Sequence, residues 1–240
     1  MTINTSTRIV LLGGTSGIGL ATARAAADAG ASVVIGSRNP ASVERALAEL
    51  PAGVIGHTVD ASSSDDVARF FDAVGEFDHF AYTAAENLSS VPIEEFTVER
   101  GLAFFSLRVI HALDAVRLAV PHLRTGGSIT LTSGTAAFAG GPGWVLGSAA
   151  SGATISAVRS LAVELAPLRV NAVAPGVVRS PLWGLMSEAD REAMYRSASE
   201  SLPLGRVAET SDVAKAYLAL MDQDHVTGTV SVVDGGALVS

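Results

Sequence analysis

Short apolar runs alternate along the chain with longer, alanine-rich stretches, from the first residues to the last. The series starts with RIVLLGG, GIGLATARAAADAG, ASVVIGS, PASVERALAEL and GVIGHTVD. These short runs are apolar on both faces, which is typical of parallel strands covered by helices on both sides. Further strands are predicted near 78–83, 127–133, 168–174 and 228–233, and further helices near 64–75, 93–120, 147–166 and 211–222. The order predicts an α/β fold: a single-domain Rossmann-type doubly wound parallel sheet of about seven strands with helices on both faces.

Local signals mark two helix starts and one irregular connection. Ser187 followed by Asp190 resembles a capping box, and Thr210 is predicted to be the N-cap of the last helix. The segment 177–205 places a short helix inside a strand-to-helix connection. Since such a connection lies beyond the carboxyl edge of the sheet, where ligands bind in this kind of fold, we expect a substrate lid near 181–203.

Composition narrows the class of protein. The 240 residues suffice for one sizeable core, so we expect one domain over 1–240. A formal net charge of −8 offers no basic surface to a nucleic acid, and without cysteine there is no disulfide or thiol chemistry. The chain has neither a signal-peptide pattern nor an apolar run of bilayer length, and its histidines lack the spacing of a metal site. We therefore expect a cytoplasmic protein with no nucleic-acid partner, no membrane and no metal.

A glycine-rich turn follows the first strand, in the segment LLGGTSGIGLATA. Between the predicted strand and helix it contains Gly13, Thr15, Ser16, Gly17, Ile18 and Gly19. Glycines at such a place let the backbone approach a pyrophosphate closely, and the helix N-terminus offers its amide groups to the same ligand. An ordinary tight turn is the alternative, but the strand–turn–helix context favours phosphate binding.

The residues after the second and third strands discriminate between dinucleotides. Folds that bind NAD usually place an acid after the second strand, whereas Ser37 and Arg38 here offer a hydroxyl and a cation to a 2′-phosphate. We therefore predict NADP(H), with an arginine that merely begins a solvated loop as the alternative. Asp60, followed by Ala61, is placed either to accept a hydrogen bond from an adenine amino group or to cap the next helix.

Five segments together resemble the short-chain dehydrogenase/reductase family over essentially the whole chain. They are GGTSGIG, VDAS, GGSITLTSG, RSLAVELAPLRVNAVAPGVVRSP and VTGTVSVVDGG. The resemblance implies a nicotinamide cofactor and hydride transfer between it and a carbonyl or an alcohol. It also implies a homodimer or homotetramer, assembled through the long central helices and the final strand.

The same resemblance locates a reaction centre that departs from the family pattern. The family uses an Asn, a Ser, a Tyr and a Lys, the last two spaced Y-x-x-x-K. The Ser matches Ser133, but the Tyr and Lys positions fall on Gly147 and Ser151. Arg108 stands at or beside the Asn position. The remaining cofactor-binding residues implied by the pattern are Ala84, Pro175, Gly176, Val178 and Ser180.

This departure removes the general acid of the family. A positioned acid contributes roughly 10²- to 10⁴-fold in rate, and a phenol with a pKa of about 10 needs help to act near neutrality. Arg108 can stabilise a developing alkoxide but releases no proton readily, and an interface ion is its alternative role. His111 can titrate near neutrality but is equally explained as an ordinary helix residue. Tyr82 is expected to pack, and Tyr195 reaches the centre only if the lid closes.

Trp144 and Trp183 flank the cleft in sequence. They form a candidate aromatic wall for an apolar or planar substrate, or simply pack.

We favour an NADP(H)-dependent oxidoreductase with a non-standard active site, acting on a small apolar carbonyl, imine or alkene-type substrate. A catalytically inactive NADP(H)-binding sensor or partner subunit is the alternative. Lyase or dehalogenase chemistry fits least, because such a change is expected to retain the Tyr and discard the cofactor site.

Overall fold

A computed structural model describes residues 3–240. Its strands are β1 (Arg8–Leu12), β2 (Ser32–Ser37), β3 (Ile55–Thr58), β4 (Phe77–Tyr82), β5 (Leu123–Thr132), β6 (Arg169–Pro175), β7 (Val178–Arg179), β8 (Ala208–Glu209) and β9 (Val230–Val233). Its α-helices are α1 (Gly17–Asp28), α2 (Pro40–Glu49), α3 (Ser64–Val74), α4 (Val98–Phe105), α5 (His111–Ala119), α6 (Val145–Glu164), α7 (Glu188–Ser201) and α8 (Thr210–Asp222).

Seven strands form one parallel sheet in the order β3-β2-β1-β4-β5-β6-β9, while β7 and β8 pair separately. The predicted doubly wound sheet is therefore confirmed. The strand order reverses direction between β1 and β4. Ligands of such sheets bind beyond the carboxyl ends of the strands at this reversal, which gives the place to look for the site.

Alternate residues of β1 enter two separate cores. Val10 belongs to the apolar cluster that contains Phe71 of α3, and Ile9 belongs to the cluster that contains Tyr217 of α8. All four side chains are fully buried. Because successive side chains of a strand point to opposite faces, the sheet needs helices on both sides to bury such a strand.

The prediction of one helix over 93–120 is wrong. A π-helical segment, Ser106–Ile110, separates α4 from α5, and a 3-10 turn precedes α4. The Thr97 hydroxyl accepts a hydrogen bond from the amide of Arg100 at 3.2 Å, so a new helix begins there. Pro121 lies two residues after the end of α5, and without an amide hydrogen it does not extend the α-helix.

The two predicted helix starts have different outcomes. Ser187 is confirmed as a cap, since its hydroxyl accepts a hydrogen bond from the amide of Asp190 at 3.1 Å. Thr210 is not a cap but the first residue of α8. The carboxylate of Asp212 accepts a hydrogen bond from the amide of Glu209 at 3.0 Å. This bond moves the cap one residue earlier, to Glu209.

Residues 181–203, the predicted lid, form a 3-10 turn over Pro181–Trp183 followed by α7. Trp183 and Tyr195 pack with Val207 in a third apolar cluster, against which Trp144 also rests. Whether this segment moves over a substrate stays a prediction. Across the described range 3–240, every helix is too short or too polar to cross a membrane.

Candidate active site

One cleft of about 1210 Å³ opens beyond the carboxyl ends of the strands. All residues predicted to bind cofactor or substrate line it, although their roles are not thereby tested. From the nucleotide prediction these are Gly13, Thr15, Ser16, Gly17, Ile18, Gly19, Ser37, Arg38, Asp60, Ala61, Ala84, Pro175, Gly176, Val178 and Ser180. From the reaction-centre prediction they are Arg108, Ser133, Trp144, Gly147, Ser151 and Trp183.

The glycines of the first turn are sterically required. Gly13 has a φ of +96°, and a Cβ on it would lie 2.5 Å from the amide nitrogen of Ala84. A Cβ on Gly19 would lie 2.2 Å from the carbonyl oxygen of Gly13. The turn therefore packs backbone against backbone, which brings the start of α1 next to the end of β4.

The N-terminus of α1 carries no cap of its own. Ser16, the N-cap residue, makes no side-chain hydrogen bond to the helix, and the first turn contains no acidic side chain. The first amide groups of a helix need partners, and the helix dipole favours a negative charge at this end. An uncapped helix N-terminus in a cleft thus fits a pyrophosphate.

A second polar group lies where β2 ends. Ser37 and Arg38 line the cleft there together with Ser42 of α2. The guanidinium of Arg45 donates a hydrogen bond to the Ser42 hydroxyl at 3.0 Å. Sequence reasoning missed Ser42 and Arg45. They follow Arg38 by four and seven residues, and this spacing at the start of α2 is the signal that could have identified them. A pair of hydroxyls and the cation of Arg38 suit a phosphate better than a ribose hydroxyl.

Asp60 does not cap the next helix, because that cap is Ser63, whose hydroxyl accepts from the amide of Asp66 at 3.3 Å. Instead, Oδ1 of Asp60 accepts two hydrogen bonds from Ser62, one from its hydroxyl at 2.7 Å and one from its amide at 2.9 Å. These bonds, and more weakly the charge of Arg38, lower the pKa of Asp60. Its other oxygen, Oδ2, is left to accept from a ligand.

Ser133 follows β5 and faces α6. Its amide donates to the carbonyl oxygen of Val173 at 2.8 Å, and its hydroxyl donates to the carbonyl oxygen of Ser151 at 2.9 Å. The Ser151 hydroxyl lies close to Gly134, since a Cβ there would be 3.2 Å from it. The positions assigned to the family's Ser and Lys are therefore neighbours across the cleft wall.

An indole covers the position assigned to the Tyr. A Cβ on Gly147 would lie 3.3 Å from Cε3 of Trp144. The ring of Trp144 meets that of Trp183 edge to face, with centroids 6.0 Å apart and an interplanar angle of 82°. Trp183 is fixed in turn by a hydrogen bond from its indole nitrogen to the carbonyl oxygen of Val178 at 2.9 Å. The two rings form one continuous wall.

Arg108 is the cation predicted for the reaction centre, and it lines the cleft. Its Nη2 donates to the backbone carbonyl of Glu86, and its guanidinium carbon lies 4.7 Å from the centre of the Phe104 ring. Its Nε is buried without a hydrogen-bond partner among residues 3–240. Burial lowers the pKa of Arg108, and the nearby Glu86 opposes this effect. A partly desolvated guanidinium with spare donors is suited to a ligand oxyanion.

The weaker proton-donor candidates lie outside the cleft or have partners elsewhere. His111 is not among the residues that line the cleft, and neither is Tyr195. The hydroxyl of Tyr195 accepts instead from the amide of Ser180 at 3.4 Å, beneath the guanidinium of Arg179. Tyr82 lines the cleft, but its hydroxyl donates to the backbone, and burial raises its pKa. Among residues 3–240, Tyr82 is thus the one phenol that lines the cleft, and no imidazole lines it.

Comparison with known proteins decides the family. The family model described as Enoyl-(Acyl carrier protein) reductase matches residues 13–237. The short-chain dehydrogenase/reductase ATR9 from Stachybotrys chlorohalonatus is 35% identical, with 96% of each chain covered. The chain belongs to the short-chain dehydrogenase/reductase family. It is thus a member of a family of oxidoreductases, as its motifs predicted.

Solved structures of short-chain dehydrogenases share the fold. A small-chain dehydrogenase in complex with NADPH is 32% identical, with a TM-score of 0.82 and coverage of 98% of this chain and 99% of that one. The MalC Reductase/Diels-Alderase from Malbranchea aurantiaca is 29% identical, with a TM-score of 0.91 and coverage of 99% and 98%. The predicted Rossmann-type fold is confirmed, and the prediction of a nicotinamide cofactor is confirmed at the level of the family.

In this short-chain dehydrogenase/reductase the described residues contain no cluster of three or more His, Asp or Glu side chains that could hold a metal. Sequence reasoning also missed Glu86 and Asn87, which line the cleft between β4 and the lid. They follow the altered YTAA segment directly, and that adjacency is the signal that could have identified them.

Proposed function

We propose that the protein is an NADP(H)-dependent oxidoreductase with a non-standard active site. One observation carries the proposal: a single cleft has an uncapped, glycine-lined helix N-terminus at one end and an indole wall over Gly147 at the other. The first end is suited to a dinucleotide. The second has room for a substrate but no phenol to protonate it.

The residues present fit a dinucleotide that carries a 2′-phosphate. The turn over 13–19 would hold the pyrophosphate, and Arg38 with Ser37 and Ser42 would hold the 2′-phosphate. Asp60 would accept from the adenine amino group through Oδ2. When bound, NADPH supplies the hydride that such a reduction needs. Ala61, Ala84 and Pro175 to Ser180 complete the lining of this half of the cleft.

Ser133 and Arg108 would act on the substrate oxygen or nitrogen. The Ser133 hydroxyl now bonds a helix carbonyl, so rotating it to a substrate exchanges one hydrogen bond for another at little net cost. Arg108 stabilises negative charge that develops there but keeps its own proton. The proton must then come from water or from the substrate itself.

This chemistry favours substrates whose reduction needs little acid help. An iminium, a quinone-like ring and an activated alkene all accept a hydride without prior protonation, whereas a simple ketone gains much from an acid. The cleft wall suits small, flat, apolar molecules. Besides the two indoles it is lined by Leu88, Ala136, Ala139, Leu182 and Leu185.

The test is NADPH consumption against a panel of iminium ions, quinones, activated alkenes and simple ketones. We expect turnover with the activated compounds and little with the ketones. A matched Ser133→Ala variant should slow turnover while leaving NADPH affinity unchanged. Tight NADPH binding with no turnover across the panel would reject the proposal and favour the inactive sensor or partner subunit.

We also propose a homodimer or homotetramer. Exposed apolar side chains on the central helices support it: Leu102 of α4 is 68% exposed, Ile110 before α5 is 60% exposed and Val163 of α6 is 81% exposed. Single exposed apolar residues are common, but three on the helices that the family uses for assembly suit a second copy.

A further inference from the structure

Tyr82 bonds the immediate neighbours of both candidate catalytic groups. Its hydroxyl donates to the carbonyl oxygen of Leu107 at 2.8 Å, and Leu107 precedes Arg108. Its own carbonyl oxygen accepts from the hydroxyl of Thr132 at 2.7 Å, and Thr132 precedes Ser133. One residue at the end of β4 thus spans the two walls that carry the polar groups of the reaction centre.

The Leu107 end of this span is the irregular one. Leu107 and Arg108 lie inside the π-helical segment, where the amide of His111 donates to the carbonyl oxygen of Ser106, five residues back. Such wide turns are rare and are found frequently at functional sites. The other contacts of Arg108 are the Glu86 carbonyl and the Phe104 ring. Residues adjacent to Glu86 and to Phe104 in the sequence are exposed to solvent.

The Thr132 end is anchored in the core. The Thr132 hydroxyl lies 2.5 Å from the hydroxyl of Tyr217, which is fully buried on α8. Because Thr132 donates to Tyr82, Tyr217 must donate to Thr132. Tyr82 itself is only 3% exposed and packs edge to face against Phe80, with ring centroids 6.5 Å apart. The ring of Tyr82 is therefore held in the core, and its hydroxyl reaches from there to the π-helical segment.

We propose that Tyr82 is a positioning residue: its hydroxyl holds the π-helical turn so that Arg108 keeps its place in the cleft that Ser133 also lines. This inference rests on the proposed function, because it assigns Tyr82 an effect on turnover that acts through Arg108. Tyr82 needs no titration for this role. A buried phenol with a raised pKa remains a hydrogen-bond donor over the whole working range of pH.

The test is a double-mutant cycle of Tyr82→Phe and Arg108→Gln, with the panel compound that the wild type reduces best. Tyr82→Phe keeps the ring and its packing, and thermal melting checks that it folds. We expect it to lower kcat roughly tenfold with little change in NADPH affinity, as expected for one lost hydrogen bond. In the Arg108→Gln background the same change should have no further effect, because its target is gone.

Amide hydrogen exchange gives a second readout that does not depend on turnover. Tyr82→Phe should speed exchange over residues 106–112 and leave α6 unchanged. The matched control is Tyr217→Phe, which removes a hydroxyl from the same chain of hydrogen bonds at its other end. It should leave exchange over 106–112 as in the wild type.

Two results would overturn the inference. One is an equal loss of kcat from Tyr82→Phe in the wild-type and the Arg108→Gln backgrounds, which would mean that Tyr82 acts independently of Arg108. The other is unchanged exchange over 106–112, which would mean that the hydroxyl does not hold the turn. If the wild type reduces nothing in the panel, the proposed function fails, and the exchange measurement alone then decides whether Tyr82 holds the turn.

Discussion

Gly147 and Trp144 are in close contact at the start of α6. A Cβ on Gly147 would stand 3.3 Å from Cε3 of Trp144, closer than most carbon contacts in proteins. The indole has little freedom to retreat, because it rests edge to face on Trp183, which is tied to the backbone at Val178. A side chain at position 147 therefore requires Trp144 to shift by a few tenths of an ångström.

Restoring the family's pair alone should therefore fail. In Gly147→Tyr with Ser151→Lys, the new Cβ crowds the indole of Trp144, so we expect NADPH binding but only background reduction of simple ketones. Adding Trp144→Ala makes room, and the triple variant should gain at least tenfold, since a positioned acid contributes roughly 10²- to 10⁴-fold. NADPH oxidation with a simple ketone measures both variants, with Trp144→Ala alone as the control. High ketone reductase activity in the double variant would show that Trp144 does not obstruct a tyrosine at position 147.

The fold and the nucleotide end follow from local pattern, but the reaction centre does not. Apolar strands and the turn over 13–19 are encoded by adjacent residues, and the structure and the related solved structures confirm the sheet they predicted. The contact of Trp144 with Gly147 depends on a ring orientation set by Trp183, which lies far away in sequence. The bond of Tyr82 to Leu107 likewise crosses 25 residues. The π-helical turn that it meets has no sequence period of its own.

Arg38 should set the preference for NADPH over NADH. Removing a charged hydrogen-bond donor costs about 1.5–3 kcal/mol, so Arg38→Ala should weaken NADPH binding roughly tenfold to a hundredfold. The affinity for NADH, which has no 2′-phosphate, should change little. Isothermal titration with both dinucleotides measures the difference. Arg69→Ala, which removes the same charge from an exposed ion pair on α3, is the control and should change neither affinity. Equal losses for the two dinucleotides would argue against a 2′-phosphate site.

His79 should make the fold sensitive to mild acid. Burial, and secondarily the charge of Arg169, lowers the pKa of His79 from 6.5 to about 4. A histidine with a depressed pKa stabilises the fold fully above pH 6.5 and loses that contribution as the pH falls towards 4, because only the unfolded chain takes up the proton. Between pH 7.5 and pH 5 this amounts to roughly 2 kcal/mol.

Urea unfolding of the wild type and of His79→Gln at the two pH values isolates this contribution. Glutamine keeps a hydrogen-bonding partner for Ser128, which lies 2.9 Å from Nδ1 of His79. The variant should lose less stability than the wild type on going to pH 5. Parallel losses in the two proteins would show that the buried imidazole is not responsible.

Assembly through the central helices predicts a specific effect of charge. Leu102→Glu places a carboxylate on α4, where a second copy would bury it unpaired, so the variant should sediment as a smaller species than the wild type. Leu204→Glu is the matched control, because Leu204 is equally exposed at 71% but lies after the lid. It should keep the wild-type mass. A wild type that sediments as a monomer would remove the basis of this prediction.

Two glycine-to-alanine changes should have opposite effects. A Cβ on Gly19 would lie 2.2 Å from the carbonyl oxygen of Gly13 and 2.5 Å from the hydroxyl of Thr83, so Gly19→Ala must push the turn away from the end of β4. We expect a loss of NADPH affinity of more than tenfold together with a lower melting temperature. Gly152 lies in α6 with open space where its Cβ would be. Gly152→Ala should therefore raise stability by about 0.5–1 kcal/mol through helix propensity alone and leave NADPH affinity unchanged. Thermal melts and NADPH titrations of both variants test the pair, and full NADPH affinity in Gly19→Ala would mean that the glycine turn does not hold the phosphates.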